Sequence, residues 1–458
     1  MASRYDVAII GGGISGLALL HYLRRLKPDA SVRLFEAETR LGGTIGTDNV
    51  DGYSLDWGPN GFLDREPLTL QLCDELGLRD RLERANDNVS KRFILRGGRL
   101  REVPMSPVSF MMSDILSLSG RLRVLMEPFV KRSVNGADES IYDFVTRRIG
   151  REAADYLVQP MVSGVYGGLA NRLSLASCFP IMREMETEYG SLFKAMIAKA
   201  RKARREGRKS GGPSGPAGHL TSFKGGLYAV IDRFAELYGD WITTGRAATE
   251  LTRDNDEFHL RFADGGRESA KAVVLAVPAF NAAQMVGGLS NELQKAMASI
   301  PYAPISVVCL GYDSRAVANS LDGFGFLIPQ KENRRILGSI WTSSIFADRA
   351  PDGRVQFRVM LGGDGNHEVA TLSDDELVRS AREDLGSIIG VAGEPELVRV
   401  YNWQQGIPQY RLGHERVLER IEAELASIGN LYITGNAYRG IGLNDCVKQS
   451  HRVARQLV

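Results

Sequence analysis

A chain of 458 residues, 43% hydrophobic and 24% charged, is too long for one ordinary core and has the composition of a soluble globular protein, so two or three domains are expected. A formal net charge of +2 supplies no global attraction to nucleic acid. Cys73, Cys178, Cys309 and Cys446 form no Cys-x-x-Cys pair and the six histidines are scattered, which argues against a metal centre or a disulfide framework and for buried thiols in a reducing compartment.

The first predicted strand, Val7–Ile10, begins so close to Met1 that no signal peptide is expected. It breaks at Gly11-Gly12-Gly13-Ile14-Ser15-Gly16, and a helical pattern follows through Leu17, Leu20, Leu23 and Leu26. A second strand, Val32–Phe35, ends at Glu36, 20 residues beyond Gly16. Strand, glycines, helix, strand and acid in this order predict a dinucleotide site. Gly11 makes the tight turn, Gly13 lets the backbone approach a pyrophosphate, and Gly16 lets helix and strand pack closely. The helix N-terminus offers free N–H groups to the phosphates. Glu36 can accept from a ribose hydroxyl and disfavours a 2′-phosphate, so FAD or NAD fits better than NADP.

Two further glycine-bearing turns follow, Arg40-Leu41-Gly42-Gly43-Thr44 and Asp56-Trp57-Gly58-Pro59-Asn60-Gly61-Phe62, which suggests a cofactor longer than a nicotinamide site needs. Residues Glu66–Leu78 read as a helix, and Lys91–Leu95 with Arg99–Leu100 as a hairpin around Gly97-Gly98. The apolar stretch Val103–Val130 has two readings: a core helix pair, or a surface that dips into a bilayer with arginines at headgroup level. Tyr156–Ala170 is uncharged. Lys194–Lys209 is strongly basic, as a solvated helix face usually is, with an anionic membrane surface as the minority reading. It leads into a flexible linker, Gly211–Gly218.

Beyond the linker a helix to Leu237 and strands near Trp241–Thr243, Glu257–Phe262 and Val273–Val277 supplement the open sheet. The uncharged run Ala272–Asn291 is interrupted by Pro278 and Gly287-Gly288, and reads as a buried strand and turn rather than a membrane span. Ile305–Gly311, Phe324–Ile328, Arg335–Thr342 and Val355–Leu361 alternate as antiparallel strands. Ser373-x-x-Glu376 is a capping box that opens a helix, and Leu397–Tyr401 closes the block. A last strand at Leu431–Asn436 and the turn Gly440–Cys446 precede a C-terminal helix whose N-terminus faces the far end of the cofactor.

These motifs together carry a resemblance that runs end to end. It rests on Gly11–Leu17, Arg40–Gly43, Gly58-Pro59-Asn60, Lys91-Arg92-Phe93, Ser163–Tyr166, Phe223–Leu227, Gly323–Leu327, Gly406–Tyr410 and Gly440–Cys446. The chain resembles the protoporphyrinogen oxidase family of the flavin amine oxidase superfamily. The resemblance implies an α/β plus α+β architecture: a Rossmann-like FAD-binding domain (residues 1–90, 211–300 and 403–458), a mostly helical membrane-binding insertion (91–210) and an antiparallel-sheet substrate domain (301–402). It implies FAD as cofactor, with the pyrophosphate on Gly11, Gly12, Gly13, Ile14, Ser15 and Gly16 and the ribose at Glu36 and Ala37. Gly43, Thr44, Gly58, Pro59, Asn60 and Gly61 would line the flavin side, Ala248 would clamp the adenine end, and Trp403, Ile441, Gly442 and Leu443 would cover the isoalloxazine. For substrate, Arg92 would pair with a propionate, the carbonyl of Gly164 would accept pyrrole N–H groups, and Leu327 and Trp341 would form apolar walls. Without the resemblance Arg92 reads as a surface charge and Gly164 as a helix-packing glycine.

The implied activity is oxidation of protoporphyrinogen IX to protoporphyrin IX in haem synthesis, in three two-electron hydride transfers to flavin N5 with oxygen as acceptor. No protein base with a convincing motif is present, and no second Gly-x-Gly-x-x-Gly exists for a nicotinamide. The implied partners are the tetrapyrrole, oxygen and one leaflet of a membrane at its cytoplasmic face, without a span; a homodimer is compatible with the family. Coproporphyrinogen III oxidation is the nearest alternative. A flavin amine or carotenoid oxidoreductase, and a non-catalytic FAD-bound scaffold, stand further off.

Overall fold

A computed structural model describes residues 4–133, 137–205 and 218–458. Two seven-stranded sheets organise it. In the first, the order is Ile242–Thr243, Val32–Phe35, Arg4–Ile10, Arg267–Leu275, Glu257–Phe262 and Ala248–Asp254, with Leu431–Ile433 pairing along Val273–Leu275. Arg4–Ile10 runs parallel to both Val32–Phe35 and Arg267–Leu275, and its apolar half, Val7–Ile10, is buried on both faces, as a central parallel strand must be. The helices Ile14–Leu26 and Leu443–Gln456 pack together, so the two ends of the chain meet over this sheet. The uncharged run near Ala272 is strand as far as Leu275, then the short helix Ala279–Met285.

The second sheet has the order Leu397–Pro408, Tyr302–Asp313, Arg354–Gly362, Ile336–Trp341, Gly323–Leu327, Lys91–Arg96 and Arg99–Glu102. The helix Asp374–Ile389 covers one face, burying Leu377, Ala381 and Leu385. Its capping box forms: Ser373 N donates to Glu376 Oε2 at 2.9 Å, and Glu376 N donates back to Ser373 Oγ at 3.4 Å. Two expected boundaries shift. The hairpin 91–102 belongs to this sheet and not to the helical insertion, because Lys91–Arg96 pairs in parallel with Gly323–Leu327. The closing strand extends from Leu397 to Pro408, across the expected boundary at 402/403, because it pairs with Tyr302–Asp313 on both sides of an irregularity at residues 404–406.

A helical part that packs against the second sheet includes Pro107–Met112, Leu118–Leu125, Ile141–Ile149, Gln159–Tyr166, Pro180–Tyr189 and Leu192–Arg205. A fully buried ion pair, Arg148 with Glu127, ties it together. Glu127 also accepts from Ser191 Oγ at 2.6 Å and Leu192 N at 2.8 Å, so its carboxylate caps the basic helix Leu192–Arg205. The expected core helix pair at 103–130 is only thinly buried. Ile115, Leu116 and Val124 point in, while Val108, Met112 and Phe129 are 74%, 82% and 78% exposed. The distal end of the basic run, 206–209, and residues 211–217 of the expected linker lie outside the described residues. Among the described residues no helix is long and apolar enough to cross a membrane.

Candidate functional site

The glycine turns do different work. Gly11 has φ +112°, and a Cβ there would lie 2.7 Å from the Ala276 carbonyl oxygen. A Cβ on Gly16 would lie 1.9 Å from the Gly11 carbonyl oxygen, so only glycine lets the helix sit this close to the turn. A Cβ on Gly13 would meet nothing within 4 Å: the backbone there borders open space. Gly13 is the N-cap of Ile14–Leu26 and supplies no side-chain acceptor, which leaves the first N–H groups of the helix, Ser15 among them, free for an anion.

The second turn faces the first, with Gly42 N donating to Gly12 O at 2.9 Å and the Cβ position of Gly43 3.5 Å from Gly13 Cα. Glu36 is held in place by Gly12 N on Oε2 at 2.5 Å and by Glu38 N on Oε1 at 2.9 Å, and each oxygen keeps a lone pair for a hydroxyl. Ala37 follows directly. Ala248 opens its strand opposite Phe262 at a bulge, where regular pairing lapses. Thr44 and Gly58 abut, since a Cβ on Gly58 would lie 2.3 Å from Thr44 O, and a Cβ on Gly61 would lie 2.6 Å from Thr221 O.

The C-terminal turn converges on the same place. Gly442 caps the last helix, again without a side-chain acceptor, and Leu443 begins it. Asn444 Nδ2 donates to Leu63 O at 2.9 Å, just beyond the third glycine turn. Trp403 Nε1 reaches Trp57 O at 3.4 Å, Trp57 stacks on Tyr401 at 5.4 Å, and the Arg40 guanidinium lies 4.4 Å over the Trp57 ring. Asn60 Nδ2 and Asn444 Oδ1 are buried and unpartnered. Two uncapped helix N-termini, an open backbone at Gly13 and these orphaned amides fit one long polar cofactor.

Strand parity assembles a second group of residues. Leu327 pairs with Ile94, and Arg92 lies two residues before Ile94, so Arg92, Ile94 and Leu327 share one face of the second sheet. Gly164 comes up against that face from the helix Gln159–Tyr166: a Cβ there would lie 2.8 Å from Leu327 Cδ2. The Arg92 guanidinium sits 5.1 Å over the Phe324 ring. Arg92 is the exposed residue of Lys91–Arg96, with its pKa lowered from the ordinary arginine value by partial desolvation, and among the described residues its side chain has neither hydrogen bond nor ion pair. Its neighbour Lys91, by contrast, is paired with Asp322 at 2.5 Å. The other face of the helix carrying Gly164 puts Val162 and Tyr166 in a buried cluster with Tyr410, and Ile441 of the C-terminal turn packs against that cluster.

Trp341 requires a correction. Phe326 pairs with Ser339 and Leu327 with Gly338, so Trp341 takes the face opposite Leu327. It is fully buried there, 5.6 Å from Phe93 and 6.4 Å from Phe326, in the core beneath Asp374–Ile389. Ile340 is the residue of that strand on the Leu327 side. The structure also adds a residue that the motifs do not announce. Arg358, on Arg354–Gly362, is buried and donates from its guanidinium to the carbonyl of Gly58.

The model of one protein family, flavin containing amine oxidoreductase, matches residues 14–458. The chain belongs to that family, and it is an FAD-dependent oxidoreductase. Within it the chain is similar to the porphyrinogen oxidases. It is 31% identical to protoporphyrinogen oxidase 1, chloroplastic, of Arabidopsis thaliana, covering 98% of this chain and 87% of that one. It is 29% identical to coproporphyrinogen III oxidase of Bacillus subtilis, covering 97% and 96%. A crystal structure from Exiguobacterium, of a protein provisionally named protoporphyrinogen oxidase, superposes with a TM-score of 0.86 at 25% identity, covering 100% and 99%.

Proposed function

We propose that the protein oxidises a porphyrinogen to the porphyrin, with protoporphyrinogen IX as substrate and oxygen as final acceptor. The observation that carries this reading is the bare guanidinium of Arg92 on the same sheet face as Leu327, against Gly164. A large, mostly apolar macrocycle with carboxylates on one edge needs apolar walls and an anchoring cation at one end.

In this reading Gly11–Gly16 and Glu36 hold the pyrophosphate and ribose. Thr44, Gly58–Gly61, Trp403 and Ile441–Leu443 enclose the ring, and Ala248 holds the adenine. When bound, FAD supplies the two-electron acceptor that no side chain here provides. The protein orients the macrocycle over the surface that Leu327 and the Gly164 backbone form together, anchors its edge at Arg92 and keeps water from the reacting carbon. The exposed apolar residues around Val108, Met112 and Phe129 rest on one leaflet of a membrane.

Coproporphyrinogen III is the second reading, favoured by the Bacillus subtilis relative's name. Charge count favours protoporphyrinogen. Four propionates need more cations than two, yet near Arg92 Lys91 is committed to Asp322, Arg96 to Glu152 at 2.6 Å and Lys331 to Asp155 at 2.5 Å, while Arg358, on the same sheet face, is turned onto the Gly58 carbonyl. The test is porphyrin fluorescence growth with each porphyrinogen as substrate. Faster turnover per KM on protoporphyrinogen is expected; preference for the four-carboxylate substrate overturns that choice, and inertness toward both overturns the reading.

A further inference from the structure

Two arginines are buried beside the flavin-side turn, and their partners differ. Arg349 is fully buried and surrounded by carboxylates: Asp56 at 3.7 Å, Glu83 at 3.5 Å, and Asp348. Arg358 has no carboxylate within ion-pair distance among the described residues. Its guanidinium donates to the Gly58 carbonyl, and its buried Nε has no partner at all. It lies directly opposite Cys309 and Ile340 on its neighbouring strands. Cys309 packs against Tyr53 and Leu55, so this face of the sheet looks toward the first domain and the turn Trp57–Gly61.

A buried cation without a close carboxylate is costly, and Asp56, whose charge reaches Arg358 from beyond ion-pair distance, offsets that cost only in part. A hydride leaving a substrate carbon delivers two electrons and one negative charge to the flavin, and that charge must be stabilised in a dry site. We propose that Arg358 is a positioning and charge-balancing residue for the cofactor, fixing the Gly58 carbonyl and holding a positive charge, not ion-paired within the polypeptide, beside the ring. This rests on the reading that Gly58–Gly61 borders the flavin.

Arg358→Met keeps the bulk and removes the charge; Arg358→Lys keeps the charge. Both are measured as the full-length FAD-loaded protein, by flavin-to-protein ratio, by midpoint potential against a reference dye, and by titration with sulfite, which adds to the flavin to give an anionic adduct. For Arg358→Met, sulfite affinity falls at least tenfold and the potential drops by about 30 mV or more, the equivalent of tenfold for a two-electron couple. Arg358→Lys stays within threefold of the parent in sulfite affinity. Parental potential and sulfite affinity in a flavin-replete Arg358→Met overturn the proposal. If Arg358→Met does not retain FAD, the lysine variant decides: a loss of sulfite affinity of tenfold or more in it overturns the role of charge. A parent protein that binds no FAD would overturn the proposed function first, and separately.

Discussion

Arg92 and Trp341 show how far single residues can be read before a fold is known. The position of Arg92 follows from strand parity once Leu327 is paired with Ile94, and its bare guanidinium over Phe324 marks a place for an anion. Arg92→Ala should raise KM for the porphyrinogen 5- to 100-fold while kcat changes little, a loss of about 1–3 kcal/mol of binding shared by ground and transition states. Steady-state kinetics with an unchanged KM would remove Arg92 from the site. Trp341 sits one residue from the face it was expected to occupy. In a strand buried on both faces the residue types of the two sides look alike, so no pattern in Ile336–Trp341 tells wall from core. Arg358 was invisible for another reason: one arginine in an alternating strand has no signature until Gly58 is folded against it from 300 residues away.

At the level of elements, the glycine turns were legible because each glycine answers a local steric demand, and two of them permit a sharp contrast. Gly13→Val places its side chain in space that no protein atom fills, so the apoprotein should keep its Tm within about 2 °C while purified material loses its flavin absorbance. Gly16→Ala drives a methyl into the Gly11 carbonyl and should destabilise by about 1–3 kcal/mol, read as a lower Tm in the apoprotein. Equal effects in both assays would mean that the turn is only structural. The helical part offers a pH test. Burial alone would raise the pKa of Glu127, but the hydrogen bonds from Ser191, Arg148, Leu192 and Phe193 outweigh it, and the value lies below the usual 4.5. A carboxylate with a depressed folded pKa contributes stability that is complete above the unfolded value and fades as pH falls through the folded one. Denaturation midpoints should therefore decline below about pH 4.5. Glu127→Ala should cost about 1.5–3 kcal/mol at neutral pH, because it removes a charged hydrogen-bond partner from buried Arg148, which keeps Glu186 at 3.2 Å, and uncaps the helix Leu192–Arg205. A parental midpoint in that variant would show the pair to be dispensable. Residues 91–102 were misallocated because their pairing partner, Gly323–Leu327, lies more than 200 positions on, and a hairpin carries no mark of which sheet it will join.

Over the whole molecule, the helix Gln159–Tyr166 turns Gly164 toward Leu327 on one face and, on the other, carries Val162 and Tyr166 in the buried cluster against which Ile441 packs. That helix belongs to the part of the chain with the most exposed apolar surface. Met161 and Val165, on the same helix, are exposed along with Val108, Met112, Leu118, Leu122 and Phe129. Residue types alone left this region between core and bilayer because both choices demand the same residues; the exposure of Met112 and Phe129 argues against the core helix pair, and a bilayer contact is a proposal that vesicle binding tests. Replacing Val108, Met112 and Phe129 together by Ser removes three side chains, each able to contribute about 1.5–3 kcal/mol when fully buried in hydrocarbon. Even at partial depth the triple variant should lose about 3 kcal/mol of partitioning, on the order of a hundredfold less protein pelleting with phospholipid vesicles. Its turnover of porphyrinogen dispersed in detergent should match the parent, since none of the three touches Arg92, Leu327 or Gly164 in the described contacts. Equal pelleting of parent and variant, or no pelleting of the parent at any lipid concentration, would leave this surface without a membrane role.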